Sequence, residues 1–174
     1  EDREFWTNQG FSFTGFGRAV LGQITGNTSA GGGSTITQQY VKNALVGDDH
    51  SYVRKARELV YSVKMTNQWS KEEILSAYLN TVYLGRNAYG VEAASHAYFD
   101  KPVTELSTEE GAVLAATIQL PSQLDPWNNP EGAQSRWNYV LDGMVEMEVL
   151  PAPERAGMAY PETRNPAEYS AYTE

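Results

Sequence analysis

Three short sequence signatures constrain this chain more than any other feature: Thr35 with Gln38, Ser70 with Glu73, and Ser107 with Glu110. In each, a hydroxyl residue precedes a Glu or Gln by three positions, the spacing at which two side chains reciprocally satisfy the free N–H groups of a helix start. The segments behind them follow helical periodicity. After Ser70, Ile74, Leu75, Tyr78, Leu79, Val82 and Tyr83 recur on one face, which predicts a core helix. The helix opened at Ser107 is expected to stop before Pro121. Gly85 and Gly90 bracket a turn before an alanine-rich helix over 91–98, and an amphipathic helix is expected from Glu131 to about Glu148 with Trp137, Val140, Leu141, Met144 and Val145 inward. No repeat and no alternating strand pattern occurs, so the expected fold is mostly α. Past Leu150, prolines at 151, 153, 161 and 166 lie among polar residues, which reads as a linker over 151–174 rather than a second folded domain.

The 174 residues allow one domain with a sizeable core. No cysteine is present, which excludes a disulfide framework, and no run of about 18 apolar residues suggests a membrane span. The net charge is −9, yet Lys42, Arg54, Lys55, Arg57 and Lys64 fall within one short segment. A local cationic cluster in an acidic chain points to an anionic ligand held at one place, and the absence of an extended basic surface argues against nucleic acid. On a regular helix from Thr35, the residues Thr35, Gln38, Gln39 and Lys42 share a polar arc, opposite Ile36, Tyr40, Val41, Ala44 and Leu45. A second helix from about Ser51 places Arg54 and Lys55 one turn before Glu58. The glycines at 31–33 ahead of this arc are not a nucleotide-binding loop, because the Lys-Ser/Thr pair that should follow is absent. Each feature alone is more often structural than functional: a glycine loop, a surface ion pair, two ordinary histidines at 50 and 96 without metal-ligand spacing.

The order of the motifs is far more specific. Glu1-Asp2-Arg-Glu-Phe5, Gly32-Gly-Ser-Thr-Ile-Thr-Gln-Gln39 with Lys42-Asn43, Arg54-Lys55-x-x-Glu58, Ile74-Leu75-x-x-Tyr78-Leu79-Asn80, and the stretch from Gly85 to Phe99 resemble the glycosyltransferase family 51 domain. That is the peptidoglycan glycosyltransferase of class A penicillin-binding proteins and of monofunctional cell-wall transglycosylases. The resemblance runs from Glu1 to about Leu150. It implies a lysozyme-like helical head over 1–150 with a small membrane-facing jaw, formed by Phe11 to Ala30, whose glycine-rich 22–33 stretch moves on its own. It also implies an N-terminal anchor on the outer face of the bacterial cytoplasmic membrane, which would make this chain a fragment of a longer protein. Two positions depart from the common family pattern: His50, where arginine is frequent, and Asn87, where glycine is frequent and where Asn tolerates the same backbone.

The resemblance also implies the chemistry. Glu1 is the expected general base for attack of a lipid II 4-hydroxyl on a lipid-linked glycan chain, inverting the sugar to a β-1,4 link. Ser34, Thr35, Gln38, Gln39, Lys42, Asn43, Arg54 and Lys55 are the expected ligands of the pyrophosphate leaving group, with Asp2, Phe5 and Asn80 in support. Glu58 is the second catalytic carboxylate the resemblance implies, and three roles stand open for it: assisting the leaving group, holding a divalent cation such as Mg or Mn, or orienting Arg54 and Lys55. The cations beside it should keep it ionised, which argues against a proton donor. No nucleotide cofactor is implied. The implied partners are lipid II, the growing glycan, the membrane and other cell-wall synthesis proteins, with moenomycin as inhibitor. Two rival readings stand beside this one: a muramidase or lytic transglycosylase, whose two carboxylates would cleave glycan, and a non-catalytic module that binds lipid II.

Overall fold

The computed structural model describes residues 1–14, 34–46 and 52–169, and these divide into two compact units, Glu1–Val82 and Tyr83–Glu174. Both units are helical, and the only β feature among the described residues is the bridge between Tyr83 and Tyr89. The expectations for the 22–33 stretch, for most of the jaw and for His50 lie outside the described residues.

The first unit contains α1 (Ile36–Val41), α2 (Tyr52–Gln68) and α3 (Lys71–Leu79). The capping boxes at Thr35 and Ser70 both form, each hydroxyl accepting the N–H three residues on and each Gln or Glu accepting the N–H of the cap. α1 packs against α2 and α3, with Phe5, Val41, Ile74, Tyr78 and Val82 buried around it. The helix after Ser70 ends at Leu79 rather than running on through Tyr83. Asn80 Nδ2 donates to the Ser76 carbonyl at 2.8 Å and Thr81 Oγ1 to that of Ala77 at 2.8 Å, so side chains satisfy the carbonyls that a further turn would use.

The face expected for α1 is not the one observed. Thr35, Thr37, Gln38 and Val41 are buried, whereas Ala44 is exposed and Leu45 is 59% exposed. Two causes act together. Thr35 and Gln38 bond each other in the cap, and Thr35 Oγ1 also donates to the Gly10 carbonyl at 2.9 Å, which turns the polar pair inward. After Val41 the chain takes a π-helical course over Lys42–Val46, so a spacing of 100° per residue no longer places side chains correctly.

Gly10 is what lets the N-terminal segment lie this close to α2. Its φ is +85°, and a Cβ there would sit 2.6 Å from the Ser62 carbonyl oxygen. Gly10→Ala is therefore expected to destabilise the unit by about 2–4 kcal/mol, from left-handed backbone strain and overpacking together. Urea unfolding of the variant measures this; a loss below the error of the extrapolation would show that the close approach is not needed.

The second unit holds α4 (Val91–Phe99), a short 3₁₀ turn at Val103–Glu105, α5 (Thr108–Thr117), α6 (Pro130–Glu146), α7 (Ala152–Gly157) and α8 (Pro166–Tyr169). The third capping box closes at Ser107, and Asn129 caps α6 with Pro130 in its first position. Asn87 takes φ +57° and keeps the turn between Gly85 and Gly90, as expected of an asparagine there. Arg86, also at positive φ, reaches inward. It holds Asp125 through two N–H groups at 2.7 and 3.1 Å, donates to the carbonyls of Ala97 and Arg164, and lies 4.0 Å from the Tyr98 ring centroid.

The segment after Leu150 is not a free linker over its described length. Arg155 binds Asp142 and Asn138 and covers the Trp137 ring, Tyr160 meets that ring edge-on at 5.3 Å, and the Arg164 N–H donates to the Tyr98 carbonyl at 2.8 Å. Its prolines stop long helices, but these residues find partners in the unit before them.

Candidate active site

The expected site residues all lie in the first unit. Glu58 is their centre. It is 2% exposed, on the inward face of α2 with Ser62, and both of its carboxylate oxygens are occupied: Arg54 donates to Oε2 at 3.1 Å and Lys55 to Oε1. Helical spacing explains the grip, since residues three and four before Glu58 share its face. The Lys55 ammonium continues to Ser34 Oγ at 3.0 Å, which places the cation beside the start of α1. Arg54 is half-buried and Lys55 half-exposed, so the cluster presents positive charge toward solvent from a buried acidic root.

This arrangement suits a multiply charged oxyanion. It combines two cations on fixed stems with the Ser34 hydroxyl. Both oxygens of Glu58 already accept from cations, which fits an orienting carboxylate better than a ligand of a divalent metal.

At the other end of the site, Glu1 is exposed and Asp2 is not idle. Asp2 Oδ2 accepts the Ile36 N–H at 3.0 Å, while Asn8 Nδ2 reaches both Asp2 oxygens. Gln39 Oε1 accepts the Tyr78 hydroxyl at 2.8 Å. Burial pushes the Tyr78 phenol well up, and the Glu1 charge is the next cause, so the Glu1 carboxylate lies within electrostatic reach of the Tyr78–Gln39 pair. Phe5 is buried against Lys71, whose ammonium stands 4.6 Å over the ring.

Other expected residues are placed differently. Thr35 and Gln38 are taken up by the cap, Asn43 is exposed on the π-helical turn that Lys42 begins, and among the described residues Asn80 bonds within its own helix end, to Ser76. Two residues at the site were not singled out from the sequence, Asn8 and Lys71. Weak signals existed for both: an Asn two residues before a glycine can bond that glycine's N–H, and a lysine in the first turn of a helix opposes the dipole and needs a local reason.

With this geometry in place, comparison with known proteins decides the family. The sequence matches the family model described as Transglycosylase over residues 1–145. The chain belongs to the transglycosylase family. It is 57% identical to penicillin-binding protein 1A of Mycolicibacterium smegmatis over 95% of this chain and 22% of that protein. It is 58% identical to penicillin-binding protein 1A of Mycobacterium tuberculosis over 95% of this chain and 21% of that protein. The chain thus spans about a fifth of the length of these curated relatives. Among solved structures, penicillin-binding protein 1A from Haemophilus influenzae aligns with 74% of this chain and 16% of that one, at 23% identity and a TM-score of 0.47. That last likeness is too distant to bear on the fold.

Proposed function

We propose that this transglycosylase-family chain polymerises lipid II into β-1,4 glycan strands and releases undecaprenyl pyrophosphate. The observation that carries this reading is the buried Glu58 with Arg54 and Lys55 on its two oxygens and Ser34 beside Lys55. In the reaction, Glu1 takes the proton from the acceptor 4-hydroxyl as that oxygen attacks the donor's anomeric carbon. The bond to the pyrophosphate breaks with inversion, and its electron pair leaves as charge on the phosphate oxygens. Arg54, Lys55, Lys42 and the Ser34 hydroxyl stabilise that charge, and Glu58 keeps the two α2 cations in place. Glu58 acts here as an orienting group, not as an acid and not as a metal ligand.

Glycan cleavage is disfavoured by the same geometry. A neutral sugar leaving group needs a proton donor and has no use for a cationic cluster, whereas Glu58 accepts from cations at both oxygens. Lipid-linked substrates call for work at a membrane surface, and glycan assembly outside the cell for the outer face of the cytoplasmic membrane; no helix among the described residues is itself long and apolar enough to cross one.

Consumption of fluorescent lipid II in detergent, with and without moenomycin, tests the reading. Polymer that moenomycin suppresses is expected. Cleavage of finished peptidoglycan without polymerisation would assign the chain to the hydrolases, and binding of lipid II with neither activity would leave a precursor-binding module.

A further inference from the structure

We propose that Asn8 and Lys71 are positioning residues that hold the Glu1–Asp2 end of the site and the Ser34–Lys55–Glu58 cluster in one register. Neither residue lies in the stretches that carry the family resemblance, and the proposal rests on the glycosyltransferase reading for what the register is used for.

A string of hydrogen bonds, bridged by one two-residue step of chain, joins the two ends. Lys71, the first residue of α3, donates from Nζ to Asn8 Oδ1 at 3.0 Å. The same oxygen accepts the Gly10 N–H at 3.1 Å, and the amide nitrogen donates to the Asp2 oxygens at 3.2 and 3.1 Å. Asp2 in turn accepts the first N–H of α1, from Ile36. Two residues before Ile36, Ser34 accepts from Lys55, which binds Glu58. From α3 to α2, every junction is a named bond or a step of one or two residues along the chain.

The orientation of Asn8 follows from its neighbours. Its oxygen faces two donors and its NH₂ faces a carboxylate; flipping the amide would set donor against ammonium and acceptor against acceptor. A hydrophobic acceptor-free substitute at 8 would leave Lys71 over the Phe5 ring without its oxygen and Asp2 without its side-chain donor. Burial lowers the Lys71 pKa and the Asp2 charge raises it, consistent with an ammonium whose nearest compensation runs through Asn8. Asp2 thereby serves as a tether, and Glu1, its neighbour in sequence, is carried with it. In a reaction that joins two bound substrates, a shift of about 1 Å between base and leaving-group site can cost about 100-fold in rate.

The test uses Asn8→Ala, Lys71→Met, the double variant and Lys71→Arg, with two readouts. The first is steady-state kinetics. Each single variant is expected to lower kcat by about 10- to 100-fold with the lipid II KM nearly unchanged. The double variant is expected to fall little further, because the residues act as a unit, and Lys71→Arg to recover most of the rate. The second is amide hydrogen exchange by NMR: the Ile36 N–H is expected to exchange about tenfold faster or more in both single variants while amides in the middle of α3 keep their rates. Losses that multiply, losses confined to KM, failure of the arginine to rescue, or an unchanged Ile36 amide would overturn the proposal. General acceleration of exchange through α3 would reduce it to a folding effect and overturn it equally. Exchange needs no turnover, so a wild-type chain that makes no polymer counts against the proposed function alone, and the Ile36 amide still decides whether the string exists.

Discussion

Glu1→Gln is expected to slow lipid II polymerisation by about 10²- to 10⁴-fold, the range over which general bases contribute, with the fold and substrate affinity left intact. Glutamine keeps the shape and the hydrogen-bonding reach of the side chain but cannot take the acceptor proton. Glu1 is exposed, so the change removes no buried contact of the core. The rate to be measured is that of a single turnover with donor bound, where the loss should appear in full. A variant within about threefold of the wild type would remove Glu1 from the mechanism, because no general base of real effect contributes so little.

The second large effect is at Glu58, and it should have a different kinetic shape. Glu58→Gln takes one charged acceptor from beneath Arg54 and Lys55, so the two cations lose their common root. Hydrogen bonds to charged groups are worth about 1.5–3 kcal/mol, which predicts a rise in donor KM of about 10- to 100-fold, with part of the loss also in kcat. Lys55 is half-exposed and its pairing is screened, so the lower end of that range is the better guide for its share. Thermal unfolding should accompany the kinetics, to normalise for the folded fraction. Normal donor binding with failure only in a pH-dependent chemical step would mean that Glu58 handles a proton, contrary to the role given it here.

The parts of this molecule that could be read from its sequence are those set by neighbours a few residues apart. All three capping boxes formed because their donors and acceptors lie within one turn, and the Arg54–Lys55–Glu58 cluster formed for the same reason. The inward face of α1 departs from regular helical spacing because it depends on Gly10, which lies 25 residues before Thr35 in sequence, and on a π-helical turn that no local pattern announces. Arg86 holds partners 39 and 78 residues away, and the residues after Leu150 dock through Arg155 and Tyr160 on α6 and through Arg164 on the more distant α4. Composition marked that segment as proline-rich and polar, which is true, but composition does not report distant partners. The Asn8–Lys71 pair is illegible in sequence on the same ground, its members being 63 residues apart. Assignment of the chemistry came from the order of the motifs, since each one taken alone fits an ordinary loop or surface pair equally well.

The central claim is that the cationic cluster rooted on Glu58 receives a pyrophosphate leaving group during glycan synthesis. The most direct measurement counts undecaprenyl pyrophosphate released for each glycosidic bond formed from lipid II. One lipid pyrophosphate per new bond is the result this account predicts; glycan bonds broken with no lipid pyrophosphate released would contradict it.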